Sequence, residues 1–157
     1  MAKQPAPKAL KFEDFQNAEI IVRKVANVTP VLDSVALSQV TGVPVVLKAE
    51  NLQRTGAYKL RGAYHRMSKL TAAERKKGVV AASAGNHAQG VALAAKKLGI
   101  KATIFMPVGA SLPKYEATKQ YGAQVVLEGA VFAENSGCRA SLCRQEGRNL
   151  HSALRPR

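Results

Sequence analysis

The sequence contains no tryptophan and only two cysteines in 157 residues. Cys138 and Cys143 have no histidine at zinc-ligand spacing, so they build neither a metal knuckle nor a disulfide framework, and they fit a reducing compartment. Acidic residues are scarce: ten Asp and Glu stand against 24 Lys and Arg, a formal net charge of +14. Such a surplus would suit nucleic acid or an acidic membrane. The cations are scattered, however, and Lys76-Lys77 and Lys96-Lys97 are the tight pairs ahead of the tail. Rings that could stack on bases are also few, with four Tyr and four Phe. No nucleic-acid partner is expected. There is no run of 18 or more apolar residues and no charged-then-apolar leader, so neither a membrane span nor a secretory signal is expected. A cytoplasmic location follows.

What is present is an alternation of apolar runs and helical spacings. A 46% hydrophobic share over this length has room for one domain with a core that folds without staples. Residues 1–11 read as a flexible leader. The spacing of Phe15, Ala18, Val22 and Val25 predicts a helix over 12–25. Thr29-Pro30-Val31-Leu32 is extended, because the residue before proline avoids the helical region. Asp33 and Ser34 can cap a short helix through Val35, Leu37 and Val40, which Gly42 closes. Strands are expected at Val43–Leu47, Val79–Ala82, Ala102–Met106 and Gln124–Leu127. Between them fall a helix opened by Lys59, a short one with the capping box Thr71 to Glu74, one carrying Ala88, Val91, Ala92 and Ala95 on a face, and one over Leu112–Tyr121. Alternation with short links implies an α/β fold: an open parallel sheet with flanking helices.

Two stretches carry chemistry. In Lys48-Ala-Glu-Asn-Leu-Gln-Arg-Thr-Gly-Ala-Tyr-Lys59, a Thr-Gly turn delivers a lysine to the mouth of a helix whose stripe is Leu60, Ala63, Tyr64 and Met67. A cation at that positive end gains nothing from the helix dipole, and the free amine is the form that condenses with an aldehyde. A solvated surface lysine is the plain alternative. The second stretch, Ser83-Ala84-Gly85-Asn86-His87-Ala88-Gln89-Gly90, joins a strand end to a helix start, where open α/β sheets bind ligands. Gly85 permits a tight turn there, and backbone N–H groups converge on an anion beside the Ser83 and Asn86 side chains. A helix-capping turn without function, and a structural His87, remain open on these grounds alone.

The run Lys-x-Glu-x-x-Gln-x-Thr-Gly-Ala-Tyr-Lys-x-Arg-Gly-Ala resembles the lysine motif of the threonine dehydratase (threonine ammonia-lyase) family, enzymes of the type II fold that depend on pyridoxal 5'-phosphate. Ser-x-Gly-Asn-His resembles that family's asparagine loop. Thr29-Pro-Val-Leu, Phe105-Met-Pro, Pro113-Lys114-x-Glu-Ala-Thr118 and Tyr121-Gly-Ala-x-Val-Val126 are similar too, so the likeness runs from about Phe12 to about Glu128. The resemblance implies that Lys59 is the catalytic lysine that binds the cofactor aldehyde, with Tyr58 in the place of the usual phenylalanine. It implies that Asn86 bonds the cofactor's phenolic oxygen, and that Ser83, Gly85, Asn86 and His87 take the substrate carboxylate. The substrate would be threonine, with serine a lesser one, and the products 2-oxobutanoate and ammonia. Service in isoleucine biosynthesis or in threonine breakdown is left open, and the intact family is homo-oligomeric. Serine racemases of this fold carry a second serine just before the glycine; Ala84 stands there and has no proton to move, although a racemase-like activity stays an alternative.

Within the resemblance the chain divides into 12–44, the start of the large domain; 45–134, the small cofactor-facing domain; and 135–157, an arginine-rich tail with both cysteines. The family's second glycine-rich loop, which grips the cofactor phosphate, is not found before the end. The expectation is a truncated N-terminal portion, or a shifted reading frame near Glu134, that is itself inactive. A non-catalytic domain that only associates with intact subunits is the other function class.

Overall fold

The computed structural model describes residues 9–129 and the backbone of 149–150. Helix α1 (Phe12–Val22) leads to strand β1 (Val31–Asp33), helix α2 (Val35–Thr41) and strand β2 (Val46–Lys48). A single 3-10 turn (Glu50–Leu52) then gives way to α3 (Lys59–Ser68) and α4 (Ala72–Lys77). The rest alternates: β3 (Val79–Ala82), α5 (Asn86–Leu98), β4 (Ala102–Met106), α6 (Leu112–Gln120), β5 (Gln124–Leu127), and finally β6 (Asn149–Leu150).

Strands β5, β4, β3 and β6 lie in that order in one parallel sheet. Every residue of β3 and β4 is buried, which is why both read as unbroken apolar runs rather than alternating ones. Their side chains still divide by the pleat. Val79, Ala81, Ile104 and Met106 join the main core with α3 and α5, while Val80, Ala82 and Phe105 cluster separately with Val126. Helix α5 is buried nearly all round because it packs on α3 and α6 as well as on β3 and β4. Its alanines and Gly90 are what allow that many neighbours to approach.

Local chemistry sets the helix ends. Ser34 accepts the Leu37 N–H, and Gly42 at φ +72° closes α2. Thr71 and Glu74 exchange hydrogen bonds at the start of α4. The stripe Leu60, Ala63, Tyr64 and Met67 is buried as its spacing predicts, with Leu60 and Met67 fully covered. Each of those two side chains contributes about 1.5–3 kcal/mol through removal from water.

Three expectations need correction. The apolar run at Val43–Leu47 becomes a strand only at Val46, and it does not enter the parallel sheet. It pairs antiparallel with β1, Leu32 opposite Leu47, in a separate two-stranded ribbon whose residues are exposed. An apolar run announces a strand but not its partner. Helix α1 stops at Val22 instead of Val25: the last turn tightens to three-residue bonds from Lys24 to Ile21 and from Val25 to Val22, and beyond it the Gln53 side chain takes both the N–H and the carbonyl of Asn27, at 2.8 and 3.0 Å. Val22 and Val25 are buried, yet Phe15 is exposed. Lastly, Asn149–Leu150 adds a strand beside β3 that the sequence pattern did not predict; two residues are too few to show a period. The remaining expectations about the tail fall outside the described residues.

Candidate functional site

The loop between β2 and α3 is tightly built. Gly56, at φ +65°, turns the chain with its N–H on the Gln53 carbonyl, and Thr55 Oγ1 donates to the Ala57 carbonyl. Thr55 and Ala57 are buried, so the loop is fixed from beneath. It releases Lys59 as the first residue of α3, with Tyr58 as the N-cap and no side chain capping the helix. Lys59 is half-buried, and its Nζ lies 4.7 Å from the centre of the Tyr58 ring. Among the described residues no carboxylate or hydrogen-bond acceptor holds that ammonium.

The second stretch leaves the end of β3. The Ser83 N–H donates to the Phe105 carbonyl at 3.0 Å, which extends the β3–β4 ladder by one rung. Ser83 Oγ then accepts the Gly85 N–H at 3.3 Å. Asn86 and His87 are the first two residues of α5, the former exposed and the latter half-buried, and no side chain caps the helix. Gly85 precedes α5 at φ −145° and ψ −145°, in the bend that takes the chain from β3 into the helix. Lys114 Nζ lies 3.6 Å from where a Cβ on Gly85 would stand, an ordinary contact distance, so Lys114 borders this turn.

The two stretches meet through Gly90. A Cβ there would lie 3.0 Å from the backbone N of Leu60 and from the carbonyl carbon of Lys59. The start of α3 therefore rests directly on α5. Asn86 lies one helical turn before Gly90 and on the same face, about 6 Å along the axis. Lys59 and Asn86 thus open two helices that touch at Gly90.

A polar framework behind Lys59 was missed at the level of sequence. Glu50 takes Arg61 with both oxygens, Nε to Oε2 at 2.8 Å and the terminal nitrogen to Oε1 at 2.7 Å. Oε1 also accepts Thr29 Oγ1 at 2.6 Å. The Arg61 hydrogen bonds, with smaller help from Thr29, the Arg61 charge and Gln53, hold the Glu50 carboxyl at about 2 against the cost of burial. Arg61 is raised in turn, chiefly by its bond to Glu50. Lys48 Nζ donates to the Thr29 carbonyl. One signal was available: Glu50 is the sole acid between Lys48 and Arg61.

A family model described as pyridoxal-phosphate dependent enzyme matches residues 22–152. The match extends past Glu128, where the recognisable motifs stop, and takes in β6. The L-threonine ammonia-lyase of Thermotoga maritima is 53% identical over 125 residues, which is 80% of this chain and 31% of that protein. Among solved structures, the processed form of threonine deaminase isoform 2 from Solanum lycopersicum superposes with a TM-score of 0.79 at 36% identity, over 94% of this chain and 42% of that one. Maize serine racemase superposes with a TM-score of 0.85 at 31% identity, over 96% and 46%. The chain thus spans less than half the length of the proteins it matches here.

Proposed function

This chain belongs to the pyridoxal-phosphate dependent enzymes, and on that premise we propose that it carries the lysine and asparagine-loop half of a threonine ammonia-lyase site. The observation that carries the reading is the contact at Gly90, which sets the mouth of α3, with Lys59, against the face of α5 that begins at Asn86. The side chains fit pyridoxal 5'-phosphate at its aldehyde end. Lys59 presents an amine with no acid beside it among the described residues, and the uncapped start of α5 offers N–H donors next to the Asn86 amide.

Bound in the site, the cofactor supplies a sink for the electrons released at the substrate's α-carbon. Lys59 would hold the cofactor at its aldehyde carbon, and its Nζ, when not so engaged, would take the α-proton as a general base. The Tyr58 ring lies beside that amine and limits the directions it can take. Asn86 would hold the phenolic oxygen, while the Ser83 hydroxyl, the Gly85 backbone, Asn86 and His87 would orient the carboxylate. The overall conversion takes threonine to 2-oxobutanoate and ammonia, with serine a poorer substrate. The reading extends to a cytoplasmic homo-oligomer in amino-acid metabolism, in isoleucine synthesis or threonine breakdown. Racemisation is the second reading, favoured by the likeness to maize serine racemase; Ala84 argues against it, since no hydroxyl stands there to serve the opposite face.

The test is a chimera. Residues 22–129 replace the corresponding segment of the Thermotoga maritima enzyme, and keto acid formed from threonine is measured. Activity that Lys59→Ala abolishes is the expected result. A chimera that folds and binds cofactor but releases no keto acid overturns the reading.

A further inference from the structure

Among the described residues the Lys59 ammonium meets only the Tyr58 ring, so its own side chain does not fix it. Its position comes from what holds the backbone on either side. On one side Leu60 is fully buried and abuts Gly90. That contact fixes the distance of α3 from α5. It does not by itself fix how far α3 turns about its axis, nor where the loop before it lies.

The second constraint is the Glu50–Arg61 pair. Glu50 opens the 3-10 turn ahead of the loop, and Arg61 follows Lys59 by two residues, so the pair closes a ring of chain in which Lys59 is the last residue but two. Two parallel bonds between a guanidinium and a carboxylate restrict rotation as well as distance. The Glu50 side chain is only 17% exposed and the Arg61 side chain 34%, so the pair is shielded from the screening that weakens surface ion pairs. The third acceptor bond, from Thr29, and the Gln53 bonds to Asn27 tie the ring to the segment before β1. From the other side the Tyr121 hydroxyl donates to the Arg54 carbonyl at 3.1 Å. The loop is therefore held at its base, at its middle and at its exit.

We propose that Glu50, through its two-point bond to Arg61, is the positioning residue that fixes the orientation of the first turn of α3 and hence the direction in which Lys59 projects. This deepens the functional reading and rests on Lys59 being the cofactor-binding amine. The pair also occupies the one acid of the loop, so that among the described residues Lys59 has no carboxylate partner.

The experiment uses the 157-residue chain and three variants: Glu50→Gln, the exchange Glu50→Arg with Arg61→Glu, and Val79→Ala as a core-weakening comparator. Hydrogen exchange is followed by mass spectrometry in the segment 59–64 and in β3–β4, together with the rate at which pyridoxal 5'-phosphate is trapped on Lys59 by borohydride. Glu50→Gln is expected to speed exchange in 59–64 tenfold or more while β3–β4 stays within twofold, and to slow trapping by a similar factor. The exchanged pair is expected to recover most of both effects, and Val79→Ala to speed exchange throughout without a selective loss of trapping. Unchanged exchange in 59–64, or an equal rise across the sheet, in Glu50→Gln overturns the proposal. If exchange responds as expected but unaltered chain traps nothing on Lys59, the clamp stands and the lysine assignment fails.

Discussion

The backbone of Lys59 lies against Gly90, close enough that a single methyl at position 90 would stand 3.0 Å from its carbonyl carbon. That contact joins the two stretches of sequence that carry chemistry, thirty residues apart, and it depends on the absence of a side chain.

Gly90→Ala is therefore expected to destabilise the fold. Crowding a packed contact costs about 1–3 kcal/mol, against a gain of about 1 kcal/mol in helix propensity. Leu60 is fully buried and cannot draw back. Gly62 is the control: it lies inside α3 with nothing within 4 Å of a Cβ, so Gly62→Ala should stabilise by about 0.5–1 kcal/mol. Thermal melting of both variants checks the contrast. Equal shifts in the same direction would contradict the contact.

Acid should weaken the fold in two stages. The His65 imidazole is held below its ordinary 6.5, first by burial and then by Lys69, and the Glu50 carboxyl is held at about 2 from 4.5. Both groups bind protons more readily in the unfolded chain, so stability falls as pH falls. The His65 contribution is complete above about 6.5 and is lost below it. The Glu50 contribution is complete above about 4.5 and is lost between there and about 2, a few kcal/mol at most at about 1.4 kcal/mol per unit. Urea midpoints from pH 7 to pH 2.5 should show both losses, and Glu50→Gln should shrink the second to what remains from Glu74, whose carboxyl the Thr71 backbone and side-chain hydrogen bonds also lower.

Much of this arrangement was legible in the sequence because it is written in local signals. The stripe Leu60, Ala63, Tyr64, Met67, the caps at Ser34, Gly42 and Thr71, and the apolar runs of β3 and β4 each rest on neighbours a few residues away. What was not legible depends on distant partners. The pairing of Leu32 with Leu47 outside the main sheet, the hold of Gln53 on Asn27, and the hold of Glu50 on Arg61 are all set by tertiary contact. At the site, the two chemical stretches could be read separately, but Gly90 as the point where they touch could not.

The proposed preference for elimination over racemisation rests on Ala84. In the chimera described above, threonine should yield 2-oxobutanoate with little D-amino acid, and serine should racemise slowly. Ala84→Ser is expected to raise racemisation of serine at least tenfold, measured by chiral chromatography. Racemisation as the main reaction of the unaltered chimera would contradict the role given to this position.

The most direct measurement concerns Lys59 itself. The 157-residue chain is incubated with an equimolar amount of pyridoxal 5'-phosphate, reduced with borohydride, digested and mapped by mass spectrometry. The account predicts that the pyridoxyl label falls predominantly on the peptide carrying Lys59, and that Lys59→Arg removes it without raising labelling elsewhere. Label spread evenly over the many other lysines, with Lys59 no more reactive than Lys76 or Lys96, would contradict it.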